Sequence, residues 1–149
     1  GVQTCALPIY SSDIVESRTF AQNKGLFAAK IRCTGKVHHA LFLKGKDPST
    51  LVTLFHFDGK KLVFGVADKF GTSMGEVRGL TLSKYHIFSL RWTERELIWY
   101  VNKQEVFRCQ NNLSKEELGL SMVSFISENQ KGSEGTFDIE WIRTYKING

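Results

Sequence analysis

Hydrophobic and polar residues alternate with a period of two along much of the chain. The first clear case is the segment 27–33, in which Lys30 and Arg32 point away from an apolar face. That apolar face is formed by Phe27, Ala29, Ile31 and Cys33. A second case is the segment 38–43. Its two faces carry His38, Ala40 and Phe42 on one side and His39, Leu41 and Leu43 on the other. This period predicts strands with distinct faces.

Further strands follow at short intervals, separated by turn signals. The continuous apolar and β-branched run over 51–57 is typical of a central strand. The remaining predicted strands are 62–66, 85–92, 97–101, 105–109, 122–126 and 137–145. Asp58-Gly59 and Asn102-Lys103 predict tight turns. The only helix candidate is a single turn over 114–117. The fold class is therefore predicted to be all-β, an antiparallel β-sandwich or barrel.

Length and charge limit the possible classes of function. A chain of 149 residues fits one domain. Its 20 Lys and Arg against 15 Asp and Glu give a net charge of +5, but no basic run is longer than Lys60-Lys61. Because nucleic-acid binding needs a clustered basic surface, we expect no nucleic-acid partner. No apolar run approaches the roughly 18 residues of a membrane helix, so we expect no membrane insertion.

The first nine residues, GVQTCALPI, stand apart from the rest. They carry no charge, match no predicted element and lack the basic start and long apolar centre of a signal peptide. They resemble the translation of a common sequencing-library adapter. We therefore interpret residues 1–9 as adapter-derived and residues 10–149 as an incomplete β-sandwich domain. A native N-terminal tail is the alternative.

The cysteines give no sign of a metal site. With Cys5 set aside, Cys33 and Cys109 remain, and no Cys-x-x-Cys pair is present, so a structural zinc site is not expected. Cys33 lies on the apolar face of its segment, which predicts a buried free thiol. Whether Cys33 and Cys109 pair stays open at this point.

Four segments carry a resemblance to a known family. In chain order they are GLFAAKIRC (25–33), HHALFL (38–43), YHIFSLRWTERELIWYVNKQEVFR (85–108) and IEWIRTYK (139–146). The third is the most specific, since it is similar to the pattern Y-H-x-Y-x-x-x-W-T-x-x-x-I-x-W-Y-V-D-G-x-x-V of glycoside hydrolase family 16, the laminarinase, agarase and carrageenase group. The resemblance implies a concanavalin A-like jelly roll, whose concave face holds a linear sugar chain. Family members begin well before Gly25, so it also implies that N-terminal strands are lacking here.

The chain departs from the family pattern in the catalytic strand. Retaining glycosidases need two carboxylates, a nucleophile and an acid/base. Family 16 supplies them as E-x-D-x-E or, with a β-bulge, as E-x-D-x-x-E. In the bulged form these positions fall on Leu51, Thr53 and His56; in the shorter form the last falls on Phe55. The segment 48–57 contains no Asp or Glu, so the resemblance implies a domain without its catalytic carboxylates.

The concave face keeps side chains that suit sugar binding. Phe42 stands where the family has a Trp that stacks on sugar, and alternation allows His38 and His56 to share this face. The candidate carbohydrate-binding residues are His38, Phe42, Thr53 and His56. Packing of Phe42 in the core, and histidines at the core edge or in solvent, are the alternatives.

The remaining singled-out residues have structural interpretations. Trp92 and Trp99 are predicted to pack within the sandwich, whereas Trp141 is compatible with either face. Glu140 occupies the place of a family Asp linked to structural Ca²⁺. Because Ca²⁺ takes oxygen ligands, Glu140 is the candidate metal ligand and a structural calcium the only candidate cofactor.

These observations favour a non-catalytic family 16-like domain that binds a β-linked glucan or galactan on its concave face. One alternative is an active endo-hydrolase with carboxylates relocated to other strands, such as Asp58, Asp68 or Glu76. Another is an interaction module without sugar binding. The resemblance implies a secreted, periplasmic or cell-surface protein, because polymeric glycans lie outside the cell.

Overall fold

The computed structural model describes residues 5–9, 13–16, 25–113 and 118–145, and these form two six-stranded antiparallel sheets. The back sheet has, in spatial order, β1 (Cys5–Ile9), β12 (Gly135–Tyr145), β3 (Gly25–Thr34), β8 (His86–Trp92), β9 (Glu96–Val101) and β10 (Gln104–Gln110). The front sheet has β2 (Asp13–Glu16), β11 (Gly119–Phe125), β4 (His38–Lys44), β5 (Leu51–Phe57), β6 (Leu62–Asp68) and β7 (Gly71–Val77). Within the described residues the only helical element is a 3₁₀ turn, Glu128–Gln130. The fold is therefore all-β, an antiparallel jelly-roll sandwich, as predicted.

The predicted alternation is borne out in the burial of the strands. In β3, buried and half-buried positions alternate from Gly25 to Cys33, with Lys30 and Arg32 on the outer face. In β4, Leu41 and Leu43 are buried in the core. β5 is a central strand of the front sheet, between β4 and β6. In β3 the two faces thus separate the core from the surface as the period of two requires, whereas β4 and β5 each have consecutive buried residues.

The core lies between the sheets and is built from large apolar side chains of both. The largest fully buried ones are Trp99, Phe27, Phe55, Phe64, Phe137, Ile31, Leu41, Leu43, Leu62, Leu90 and Leu97. Phe55 of the front sheet packs edge-on against Phe88 of the back sheet, with ring centroids 4.9 Å apart. Trp92 and Trp99 are 2% and 1% exposed, which confirms their predicted packing within the sandwich.

Both predicted turns form. Asn102 and Lys103 have φ values of 49° and 70°, the left-handed conformation that a two-residue hairpin between β9 and β10 requires. The Asp58–Lys61 turn joins β5 and β6, and Asp58 Oδ1 accepts hydrogen bonds from the backbone N–H groups of Lys60 and Lys61. These local signals fix the register of the strands they join.

Three strands have no counterpart in the sequence prediction. β7 is an exposed edge strand rich in glycine and small polar residues, so its sequence lacks the apolar alternation that marks the others. The backbone of β1 pairs with β12, although residues 1–9 match no predicted element, and β2 pairs with β11. The adapter interpretation, the incomplete domain and the missing N-terminal strands stay predictions. The helix candidate at 114–117 lies outside the described residues.

Cys33 is a free thiol buried in β3, as predicted. Burial raises its pKa to about 12, so it stays protonated and unreactive at neutral pH. Cys109 of β10 is also free, which resolves the question of a bridge between the two.

A β-bulge in β5 is tied to the opposite sheet by one buried hydrogen bond. The pairing of β5 with β6 shifts by one residue between Thr53 and His56. As a result Leu54 and Phe55, which are consecutive, both belong to the core. The indole N–H of Trp99, in β9, donates to the backbone carbonyl of Thr53 at 2.9 Å. This bond satisfies a buried carbonyl at the bulge and links the two sheets.

We predict that Trp99→Phe lowers the free energy of unfolding by about 1–3 kcal/mol, because it leaves the Thr53 carbonyl buried without its donor. Urea unfolding followed by tryptophan fluorescence and circular dichroism measures the change. Trp92→Phe is the matched control, since the buried Trp92 Nε1 has no acceptor among the described residues. Equal losses in the two variants would show that volume, and not the hydrogen bond, is what Trp99 contributes.

Candidate functional site

The candidate site is the face of the front sheet that points away from the core, called the front face below. Register places its side chains in rows across the strands. One row runs from Phe42 in β4 through Thr53 in β5 to Gly65 in β6. The next runs from Ala40 through His56 to Val63. Directly paired residues of antiparallel strands project to the same side, so the side chains of each row lie on one face of the sheet.

The bulge decides which residues of β5 reach this face. In a regular strand Thr53 and Phe55 would share a face, but the extra residue turns Phe55 into the core, where it is 0% exposed. Leu51, Thr53 and His56 therefore belong to the front face, the arrangement of the bulged family pattern. Phe55, the last position of the shorter pattern E-x-D-x-E, does not lie on the front face. No Asp or Glu lies anywhere in β5.

Four ring-bearing side chains form a cluster on the front face. His38 Nδ1 lies 2.9 Å from His56 Nε2, so one of these nitrogens donates a hydrogen bond to the other. The His38 ring stacks on Phe125 of β11, with centroids 4.3 Å apart and planes 9° from parallel. Phe42 meets His56 edge-on at 5.8 Å. Sequence reasoning missed Phe125, because it predicted that strand but not that β11 would lie beside β4.

The two histidines of this cluster are held neutral. Burial first, and then the neighbouring His38, lower the pKa of His56 to about 4, against an opposing effect of Asp58. Burial also lowers the pKa of His38. A positive charge on either ring would lose part of its solvation in this half-buried place, so the neutral pair is favoured at neutral pH.

The four predicted sugar-binding residues differ in the surface they present. His38, Phe42 and His56 are half-buried, so each keeps a part exposed to solvent. Thr53 is only 4% exposed and forms the floor between Phe42 and Gly65. The structure thus brings all four together on one face, but Thr53 offers little surface for contact.

His39 serves the core and not the site. It points away from His38, as adjacent strand residues must, and is fully buried. Its Nε2 lies 3.0 Å from the backbone carbonyl of Thr34, and its Nδ1 lies 2.9 Å from Ser124 Oγ. Since a carbonyl only accepts, Nε2 carries the proton and Nδ1 accepts from the serine.

The carboxylates considered for a relocated catalytic pair are engaged elsewhere. Asp58 Oδ1 and Asp68 Oδ1 each accept two backbone hydrogen bonds within their own turns. Glu76 of β7 forms ion pairs with Lys61 at 3.0 Å and Arg78 at 3.3 Å. Each of the three carboxylates is thus held by hydrogen bonds in a turn or by ion pairs.

The back sheet contains the two remaining singled-out residues. Glu140 Oε2 lies 2.7 Å from Lys30 Nζ, and the residues that the structure describes include no group of three or more His, Cys, Asp or Glu arranged to hold a metal. Calcium at Glu140 stays a prediction. Trp141 is half-buried on the outer surface, where the Arg143 guanidinium lies 4.0 Å from its ring centroid.

We predict that acidification from pH 7 to pH 4.5 lowers the stability of the fold in a step that depends on His56. The unfolded chain takes up a proton on this ring near pH 6.5, whereas the folded chain does so only near pH 4. Stability is therefore fully present above pH 6.5 and is lost as the pH falls. Urea unfolding at several pH values should show a shallower loss for His56→Gln. Phe42→Leu alters the same cluster without removing a titrating group; the idea fails if both variants keep the wild-type slope.

Many solved structures share this fold. The catalytic domain of an endo-1,3-β-glucanase (laminarinase) from Thermotoga petrophila RKU-1 matches with a TM-score of 0.71 and 15% identity, over 93% of this chain and 69% of that one. The κ-carrageenase zobellia_236 from Zobellia galactanivorans matches with a TM-score of 0.67 and 14% identity, over 91% and 71%. A structure from work on endo-acting O-glycanases of the human gut microbiota, which initiate mucin breakdown, gives 0.76 and 15%, over 92% and 74%. At such identities the likeness shows the fold.

Sequence comparison supplies the family. No curated protein matches the chain. The model of "Glycosyl hydrolases family 16" matches residues 33–143, which is well over half of the chain and includes β4 to β11 with the whole front-face cluster. The chain therefore belongs to glycosyl hydrolases family 16.

Proposed function

We propose that this family 16 domain binds a β-linked polysaccharide, a glucan or a galactan, on its front face and does not cleave it. The observation that carries the proposal is the bulge in β5. It keeps the geometry that would direct three catalytic side chains to one face, yet the residues it directs there are Leu51, Thr53 and His56. The binding surface is retained while the reacting groups are replaced.

Chemistry gives the reason for inactivity. Hydrolysis with retention needs a carboxylate that attacks the anomeric carbon and a second acid about 5 to 5.5 Å away. Leu51 has no lone pair with which to attack, and Thr53 has no negative charge to tune a neighbour. His56 is neutral near pH 7 because its pKa is about 4, so it has little of the protonated form that a general acid requires.

The ring cluster supplies what a sugar-binding surface needs. Sugar rings present apolar C–H faces that pack on aromatic rings and hydroxyl groups that exchange hydrogen bonds. Phe42 offers a half-buried aromatic ring, and the neutral imidazoles of His38 and His56 hold both a donor and an acceptor. Phe125, on the neighbouring strand β11, stacks on the His38 ring and holds it in place. The two histidines can thus donate and accept hydrogen bonds with sugar hydroxyl groups, and they lie beside the aromatic rings of Phe42 and Phe125.

The proposed ligand indicates the cellular location of the protein. The described residues include no helix long and apolar enough to cross a membrane. Polymeric glycans lie outside cells, so we place the protein in the secreted, periplasmic or cell-surface class. Polysaccharide is its proposed partner, and nucleic acid is not.

We predict that the domain is retarded in native gels containing laminarin, mixed-linkage glucan or agarose, and that the stained gels show no cleared zone. Phe42→Ala should weaken the retardation about tenfold in apparent Kd, because it removes the stacking ring. Phe70→Ala is the control, since Phe70 is 82% exposed in the β6–β7 turn and outside the cluster. A cleared zone would refute the loss of catalysis, and equal weakening in the two variants would refute the assignment of the front face.

A further inference from the structure

The two histidines of the front-face cluster face each other in a way that allows a second chemistry. His38 Nδ1 and His56 Nε2 lie 2.9 Å apart, so two imidazole nitrogens from neighbouring strands are directed at each other. The ring centroids are 5.2 Å apart, and the ring planes are 52° from parallel. Because imidazole nitrogen is the commonest protein ligand of divalent transition metals, this pair is a candidate for binding a metal ion.

The separation of the two rings suits one metal ion. Bonds from Zn²⁺ to imidazole are about 2.0–2.1 Å long, so two imidazoles on a tetrahedral ion have nitrogens about 3.3 Å apart and ring centroids about 5 Å apart. The centroids of His38 and His56 already have this separation. The rings therefore need only tilt, until both nitrogens point to a common position beside the line that joins them. This tilt moves the two nitrogens apart by about 0.4 Å.

The protons of the pair also allow the exchange of a hydrogen bond for a metal. In the hydrogen-bonded state one of the two facing nitrogens carries a proton and the other accepts. A neutral imidazole can hold its single proton on either nitrogen, so both rings can place it on the outer nitrogen. Two lone pairs then face each other, and a cation between them makes that arrangement favourable. Metal binding thus replaces the hydrogen bond, and the pair releases no net proton.

The nearest carboxylate favours a cation at this place. Asp58 acts electrostatically on both His38 and His56, in the direction that stabilises positive charge on them. Its Oδ1 is held by the backbone N–H groups of Lys60 and Lys61, so the carboxylate stays on this side of the turn. Lys36 and Lys60 line the pocket next to His38, but both are exposed, and solvent screens their charge.

The surroundings hold the two rings and leave a path to solvent. Phe125 stacks on His38 with centroids 4.3 Å apart, and Phe42 meets His56 edge-on with centroids 5.8 Å apart. His38 also lines an open pocket of about 510 Å³, which gives an ion and its water ligands access and space. Ligands that are already held lose little conformational entropy when a metal binds, so this packing favours binding.

We propose that His38 Nδ1 and His56 Nε2 together bind one divalent transition-metal ion on the front face. Water completes the coordination, since the described residues include no group of three or more His, Cys, Asp or Glu that could hold a metal. The ion belongs to the class that prefers imidazole nitrogen, such as Zn²⁺ or Ni²⁺, and not to Ca²⁺ or Mg²⁺, which take oxygen ligands. The inference does not depend on the polysaccharide binding proposed above.

Isothermal titration calorimetry of the full chain with Zn²⁺, Ni²⁺ or Ca²⁺ at neutral pH tests the inference. We expect one Zn²⁺ or Ni²⁺ per chain and no binding of Ca²⁺. His38→Gln and His56→Gln should each raise the apparent Kd for Zn²⁺ at least about tenfold, because a single imidazole cannot chelate.

Two control variants should bind Zn²⁺ as the wild type does. In His86→Gln the lost ring is one whose nitrogens lie 2.8 Å from the Thr81 carbonyl and 2.8 Å from Asn102 Nδ2, away from the pair. Cys109→Ser removes a free, half-buried thiol, the other kind of side chain that binds these metals.

Nuclear magnetic resonance of the wild-type chain keeps the test decisive if a variant fails to fold. Zn²⁺ should shift the ring nitrogen signals of His38 and His56 and leave those of His39 and His86 in place. Shifts confined to His86, or an equal Kd in wild type, His38→Gln and His56→Gln, would overturn the site. Absence of Zn²⁺ and Ni²⁺ binding would overturn it too, and Ca²⁺ binding as tight as that of Zn²⁺ would overturn the class of ion.

Discussion

The hydrogen bond from Trp99 to the Thr53 carbonyl is the constraint on which the front face depends. A bulge interrupts the ladder that would otherwise satisfy the backbone of β5, and a buried carbonyl without a donor is costly. The indole reaches across the sandwich to supply that donor. The back sheet thereby stabilises an irregularity in the front sheet, and the irregularity directs His56 outward beside Thr53.

The front face combines the bulged strand of the family pattern with no carboxylate in that strand. The strand order and the bulge bring Leu51, Thr53 and His56 to one face of the front sheet. The side chains so positioned are an aliphatic residue, a hydroxyl at the floor and a neutral imidazole. The second imidazole, His38, forms a hydrogen bond with His56 in which either ring can donate. An ionised carboxylate at the position of His56 could only accept. Under the proposed function, the backbone geometry of the front face is kept while its catalytic chemistry is not.

Sequence reasoning predicted most strands because a period of two is a local signal. It identified the faces of β3 and β4, the Asn102-Lys103 turn and the burial of Trp92 and Trp99. It missed β7, because an exposed edge strand of glycine and small polar residues has no apolar alternation to detect. It also missed Phe125, since its contact with His38 depends on which strands become neighbours across long sequence separations. The bulge in β5 was predicted only in part. The family pattern allowed a bulged and a shorter form, and the pairing of β5 with β6 shows that His56 and not Phe55 lies on the front face.

The composition of β5 has a consequence for how the domain could have evolved. Closely spaced catalytic carboxylates repel one another, and proteins keep them at the expense of folding stability. A strand with Leu51 and Thr53 at those positions carries no such repulsion, so the bulge in β5 is formed without that electrostatic cost. Selection for folding and selection for ligand recognition then act in the same direction on this face. Under the proposed function, this face can therefore accept further substitutions without having to preserve a pair of carboxylates that repel each other.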